Sequence, residues 1–210
     1  MTVLEEEGRT PEEAVEAGLQ KLALGREYVL VEVLDEGTKG FLGLGGRTAR
    51  VRLTVTPTGN QILHGRRLLQ DLLRLVGVSV EISQHEVEGV LSFELKGEDA
   101  GLLIGKQGQT LDSINFLISR ILSRQLGERT PVQVDVEEYR GRRKRLLVQR
   151  ALKLAEQVKT SGEAAILEPM SPLDRRTIHL TLQHDPGVRT SSDGQGSLRR
   201  LVISPVPRRA

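Results

Sequence analysis

The apolar positions of the chain change rhythm several times, and each change predicts an element. Thr10-Pro11-Glu12-Glu13 supplies an N-cap, a proline at the first helical position and a carboxylate three residues after the cap, so a helix is expected to about Leu24. Gly25 ends it. Tyr28 to Leu34 is a nearly continuous apolar and β-branched run, and residues 49–55 (ARVRLTV) alternate strictly, with Val51, Leu53 and Val55 on one face. With a first strand at Thr2 to Glu5 the order is β-α-β-β, closing at Pro57-Thr58-Gly59-Asn60, which reads as a linker.

Helical spacing returns at Leu68, Leu69, Leu72, Leu73 and Val76, and Gly77 closes that segment. Two strands are expected next. Val78, Val80 and Ile82 alternate in the first and Leu91, Phe93 and Leu95 in the second, with SQHEVEG between them as the turn. After the stretch GLLIGKQGQTLDSINFLISRIL (101–122), Val132, Val134 and Val136 alternate once more, giving α-β-β-α-GxxG-α-β. A long helix is then expected from Tyr139 to Lys159, with Leu146, Leu147, Ala151, Leu154 and Val158 as its buried stripe. Ser171-Pro172-Leu173-Asp174 opens another helix to about Gln183, and short strands near Val188 to Thr190 and Leu198 to Ile203 flank the hairpin SSDGQGS.

Composition narrows the picture. Aromatic residues make up 2% of the chain, so the core must be built from Leu, Val, Ile and Ala in modest units, which favours several small modules over one large one. With no cysteine there are no disulfides and no thiolate-held metal. The first residues lack a signal-peptide pattern, and no apolar run reaches the ~18 residues of a membrane span. A soluble, cytoplasmic protein is expected, without direct membrane insertion. The net charge of +2 hides an asymmetry: residues 1–60 carry seven Lys/Arg against ten Asp/Glu, residues 61–100 four against seven, and residues 101–210 nineteen against eleven. A basic rear suggests a polyanion as partner.

The stretch around Gly105 and Gly108 carries the clearest candidate chemistry. A G-x-x-G bend lets a sugar–phosphate backbone approach, and the following helix offers free N–H groups with partial positive charge. Lys106 adds a cation; Gln107 and Gln109 add neutral donors. A helix–helix turn with purely geometric glycines is the alternative for an isolated match. A P-loop does not fit, because Gly101 to Gly105 is one residue too short and Gln107, not Ser or Thr, follows the lysine. In DRRTIHLTL, Arg175 and His179 stand four apart on the expected helix and project from one face, a pairing that suits phosphate. The glycine-rich loop KGFLGLGGR (39–47) is followed by a strand and not a helix, so it reads as a tight loop with Phe41 and Leu42 packed or offered to a partner. The four histidines show no metal-ligand spacing, and no nucleophile elbow occurs; no enzyme activity, metal or cofactor is expected.

Taken with the element order, the GxxG stretch resembles a KH domain of the type II arrangement. Arg-x-x-x-His after a capped helix start resembles the R-three-H domain. Those two modules behind a β-α-β-β unit carrying Lys39-Gly40-Phe41-Leu42-Gly43 resemble the Jag family, also called KhpB or SpoIIIJ-associated proteins. The fold class so implied is α+β in three small modules: a Jag N-terminal domain at 1–57, a type II KH domain at 61–137 and an R-three-H domain at 139–205. The resemblance implies a bacterial single-stranded RNA-binding regulator or RNA chaperone, linked to cell shape and cell-wall growth and often paired with a smaller KH-only protein. Single-stranded DNA is the alternative nucleic acid. It places binding on Gly105, Lys106, Gln107, Gly108, Arg175 and His179, to which charge and position add Gln109, Arg143, Arg189, Arg199 and Arg200. A rival reading is an interaction adaptor that docks a protein partner, or a membrane-associated complex, through Lys39, Phe41 and Leu42. Some family members carry a long charged linker behind the first module; here only a few residues around Pro57 to Gln61 separate the two.

Overall fold

The computed structural model describes residues 2–38 and 47–206. Its fold is α+β and falls into two compact units, Met1–Phe93 with Ile114–Val134, and Glu94–Ser113 with Asp135–Ala210. The loop residues Lys39, Phe41 and Leu42, on which the adaptor reading rests, lie outside the described residues.

In the first unit, β1 (Val3–Gly8), β2 (Val29–Asp35) and β3 (Ala49–Val55) form an antiparallel sheet of order β1-β3-β2. The alternation of ARVRLTV becomes burial: Ala49, Val51, Leu53 and Val55 are all fully buried. Helix α1 (Pro11–Leu22) starts as its cap residues direct, with Thr10 Oγ1 accepting from Glu13 N–H at 3.2 Å and the Glu13 carboxylate accepting from Arg9 N–H. It lies close on the sheet because Gly18 carries no side chain, and a Cβ there would stand 2.7 Å from Leu53 Cδ1.

Pro57 to Asn60 is not a linker. These residues open α2 (Pro57–Val76), a helix of 20 residues. Thr56 caps it, its Oγ1 accepting from Gly59 N–H at 3.1 Å, and Pro57 sits where the missing N–H costs nothing. Turn-forming and helix-starting residues are the same types, and only the apolar spacing that follows separates the two cases. Ile62, Leu69 and Leu73 are buried, and Gly65 lets α2 approach the Phe93 ring, with a Cβ there 2.6 Å from Phe93 Cζ. Gly77, at φ +75°, ends the helix, and Val78 N–H donates to Leu73 C=O. Val78 is thus the apolar residue of a helix cap and not the first residue of a strand.

The strands are accordingly shifted from the expected positions. β4 (Glu81–Val87) takes in most of the polar stretch expected to be a turn, and the reversal to β5 (Val90–Lys96) is made by Glu88 and Gly89 alone, at φ +52° and +77°. β4 is an edge strand of the sheet β4-β5-β6, with β6 at Val132–Val136, so it needs no apolar face that alternation could reveal. On α3 (Gln109–Leu126), Leu111, Ile114, Ile118 and Leu122 are buried, whereas Ile121 is exposed.

In the second unit, α4 (Tyr139–Ser161) and α5 (Pro172–Leu182) pack with an antiparallel sheet of order β7-β9-β8, formed by Ala165–Ile166, Arg200–Pro205 and Val188–Asp193. Leu147, Ala151, Ala155 and Val158 of α4 meet Ile178, Leu182, Leu201 and Ile203 in the core. Leu146 is exposed, Leu154 is only partly buried, and Ala155 joins the buried stripe.

Replacing Gly65 by Ala removes a helix-weakening residue, worth about 1 kcal/mol in an open helix, but forces a methyl onto a buried ring, costing about 1–3 kcal/mol. The contact should win. G65A is expected to lower the urea midpoint of unfolding, and to cost less in an F93L background; equal cost in both backgrounds would refute the contact.

Candidate nucleic-acid interface

The GxxG bend is built by backbone geometry that few side chains tolerate. Gly105, Gln107 and Gly108 all have positive φ, at +68°, +55° and +85°. Both glycines also have close neighbours from the protein itself. A Cβ on Gly105 would fall on the Thr110 side chain, and one on Gly108 would stand 2.8 Å from Tyr139 Cε1. The buried side of the bend is therefore filled by Tyr139. Its open side consists of Gly105, Lys106 and Gln109, all exposed, and Lys106 makes no ion pair among the described residues. Gln107 is half-buried and turned toward the protein, its Nε2 donating to Glu168 Oε2 at 3.4 Å. Ahead of the bend the expected α-helix is a six-residue 3-10 helix, Glu98–Leu103, anchored by buried Ala100 and Leu103.

The second locus is a cleft of about 230 Å³ lined by Pro172, Arg175, Arg176, His179, Leu180, Ser192 and Arg199. Arg175 is 9% exposed, and its Nε and Nη1 are buried without a hydrogen-bond partner. A guanidinium in that state costs stability that an anion in the cleft can offset. His179 does not point free into the cleft. Its Nδ1 lies 2.6 Å from Thr190 Oγ1 and its Nε2 3.2 Å from Ser192 Oγ, so a neutral ring, donating with one nitrogen and accepting with the other, satisfies both hydroxyls. Burial first, then the charges of Arg175 and Arg199, hold its pKa below the ordinary 6.5, which favours that neutral ring. Charge and motif alone do not single out Thr190 and Ser192; their two-residue spacing on a strand beside an Arg-x-x-x-His helix is the signal that could have found them.

Sheet register sorts the remaining cations. Thr190 and Ser192 stand opposite Ile203 and Leu201, the buried residues of β9, whereas Arg189, Asp193 and Arg200 occupy the alternate positions. Arg189 and Arg200 thus lie on the other face of the sheet from His179, and Arg200 is 3.5 Å from Asp193. Arg199, just before β9, joins the cleft. Arg143 is not an open-surface cation either. Its Nε and Nη2 donate to Asp174 Oδ2 at 3.2 and 3.0 Å, and the Asp174 side chain is 9% exposed.

Among the described residues no group of His, Cys, Asp or Glu could hold a metal ion, and no helix is long and apolar enough to cross a membrane.

A GxxG bend between two helical segments beside a three-stranded sheet, followed by an Arg-x-x-x-His helix over an antiparallel sheet, defines a KH protein joined to an R-three-H module. The KH model of the KhpA/KhpB type matches residues 66–138, the R-three-H domain model residues 145–205 and the Jag N-terminus model residues 7–55. Proteins named "RNA-binding protein KhpB" are similar over nearly the whole chain. That of Clostridium symbiosum is 37% identical over 198 residues, covering 93% of this chain and 88% of the relative. That of Bacillus subtilis strain 168 is 38% identical over 199 residues, covering 94% and 95%. A more distant one from Streptococcus pneumoniae is 24% identical over 135 residues, 64% of this chain and 41% of its own length. The chain belongs to the KhpB family.

The depressed pKa of His179 has a stability consequence. Its contribution is complete above the unfolded-state value near 6.5 and is lost as pH falls through the lower native value. Between about pH 8 and about pH 5 the fall in unfolding midpoint should be shallower in H179Q than in wild type; identical slopes would place the ring in a solvent-like setting.

Proposed function

We propose that the protein binds single-stranded RNA at two loci, the open side of the GxxG bend and the Arg175 cleft. The observation that carries this reading is Arg175: a nine-tenths buried guanidinium with two nitrogens lacking a protein partner, at the wall of a cleft that also holds Arg176 and Arg199. Phosphate is the ligand chemistry that matches such a donor set. Lys106 gives the first locus the same preference, without help from the N–H groups of Gly108, Gln109 and Leu111, which already donate to backbone carbonyls, and the names of the relatives agree with it. In the cell this would make the protein a cytoplasmic post-transcriptional regulator or RNA chaperone tied to cell shape and wall growth, working with a smaller KH-only protein.

Affinity on this reading is dominated by phosphate contacts. Few aromatics are available for base stacking, so sequence preference should be weak and salt dependence strong. In a fluorescence polarisation titration with a labelled single-stranded oligonucleotide, R175M should weaken binding by ~10-fold or more, the loss of one good charge-assisted contact. K106D should do the same by placing a carboxylate on the open side of the bend. Undiminished binding by both variants, each folded by circular dichroism, would refute the assignment. A single-stranded DNA of the same sequence, run alongside, decides between the two nucleic acids.

A further inference from the structure

Both loci belong to the same compact unit, and one helix start touches each of them. Tyr139, the first residue of α4, fills the space beside Gly108. Arg140, next to it, donates through Nη1 to Asp112 Oδ1 at 2.8 Å and so grips the first turn of α3. One turn further on, on the same helix face as Tyr139, Arg143 holds Asp174, which is adjacent in sequence to Arg175 and sits in the first turn of α5. The Gln107 to Glu168 hydrogen bond is a second link, made outside α4.

These four connections have little slack. Tyr139 and Arg143 are separated by a single turn of continuous helix, a rise of about 6 Å. Asp174 is fixed twice, by the Arg143 guanidinium and by its N–H donating to Ser171 Oγ at 3.1 Å. The Tyr139 hydroxyl is pushed up in pKa, by burial first, and so stays neutral.

We propose that the first two turns of α4 act as a spacer that holds the GxxG bend and the Arg175 cleft at one separation, so that a single strand is read as one site with a sharp minimum length. The inference rests on the RNA reading above and adds to it. Two independently tethered sites would gain affinity gradually as a strand lengthens, because a tether samples many separations. A fixed pair gains it in one step, when the strand first spans both. Below that length, which exceeds the about four nucleotides a GxxG module clamps by itself, only one locus can be occupied. Asp174 is then a positioning residue: it touches no RNA and acts through Arg143 and Arg175.

The test is a polarisation titration of the intact chain with oligouridylates of increasing length. Wild type should show one step of ~10-fold or more in affinity at a single length. Asp174→Asn removes a negative charge beside the cleft, so electrostatics alone would tighten binding at every length. The spacer predicts the opposite for long strands, with the step lost or spread over several lengths. A step of unchanged height and position in folded D174N would overturn the spacer, whereas a wild type that binds no oligouridylate would overturn the RNA reading itself. Because the chain has no cysteine, a measurement that leaves the ion pair intact is open as well. Spin labels at exposed Ser113→Cys and Leu173→Cys should give a narrow electron–electron distance distribution that RNA leaves unchanged; a broad distribution in the free protein would contradict the spacer.

Discussion

At Gly108 the chain has room for a hydrogen and nothing larger, because the Tyr139 ring stands where a Cβ would be. Much else in the second unit follows from that contact. It brings the first turn of α4 against the bend, which puts Arg140 within reach of Asp112 and leaves Arg143, a turn away, facing Asp174. It also divides the bend into an inner side, closed by the protein's own tyrosine, and an outer side of Gly105, Lys106 and Gln109 that stays open. The glycine at 108 is thus explained by its positive φ and by internal packing, and on the proposed reading the attraction for an anion comes from Lys106.

The electrostatic arrangement of the R-three-H module separates cations paired within the protein from one that is not. Arg143 and Asp174 neutralise each other in a largely buried pair, where breaking one partner is costly because it strands the other charge. Arg189 and Arg200 lie on the far side of the sheet. Arg175 is left as the one buried cation of the cleft whose inner nitrogens find no protein acceptor among the described residues. His179, held neutral between two hydroxyls, orders Thr190 and Ser192 and does not add a second charge. The Arg-x-x-x-His pair is therefore unequal: the arginine keeps two buried nitrogens without a protein partner, whereas both histidine nitrogens are engaged by hydroxyls of β8.

How far these features could be read without coordinates varies with their physical origin. The strand at 49–55 was legible because one face of it is fully buried, and the helix starts at Thr10 and Ser171 because capping demands particular side chains. The β4 edge strand was not, since an edge exposed on much of its surface carries no alternation, and Val78 misled because a helix-cap contact and a strand both require an apolar residue. Pro57 to Asn60 suggest a linker and form a helix start, because no local signal separates a proline-led cap from a proline-led turn. Within the candidate site, Gly105, Lys106, Arg175 and His179 are the residues whose candidacy was legible from spacing. Thr190, Ser192, Asp174 and Tyr139 were not, because each acts through a partner between 11 and 31 residues away, and sequence periodicity records only neighbours. For the same reason charge and position alone do not reveal that Arg143 is paired with Asp174.

The central claim is that the outer side of the GxxG bend and the Arg175 cleft take up one anionic strand together. Backbone amide resonances followed by NMR during titration with a single-stranded RNA long enough to span both address it most directly. The account predicts that Gly105 and Lys106 shift together with Arg175, Thr190 and Ser192, along curves with a common midpoint. Shifts confined to one locus, or two separate midpoints, would contradict it.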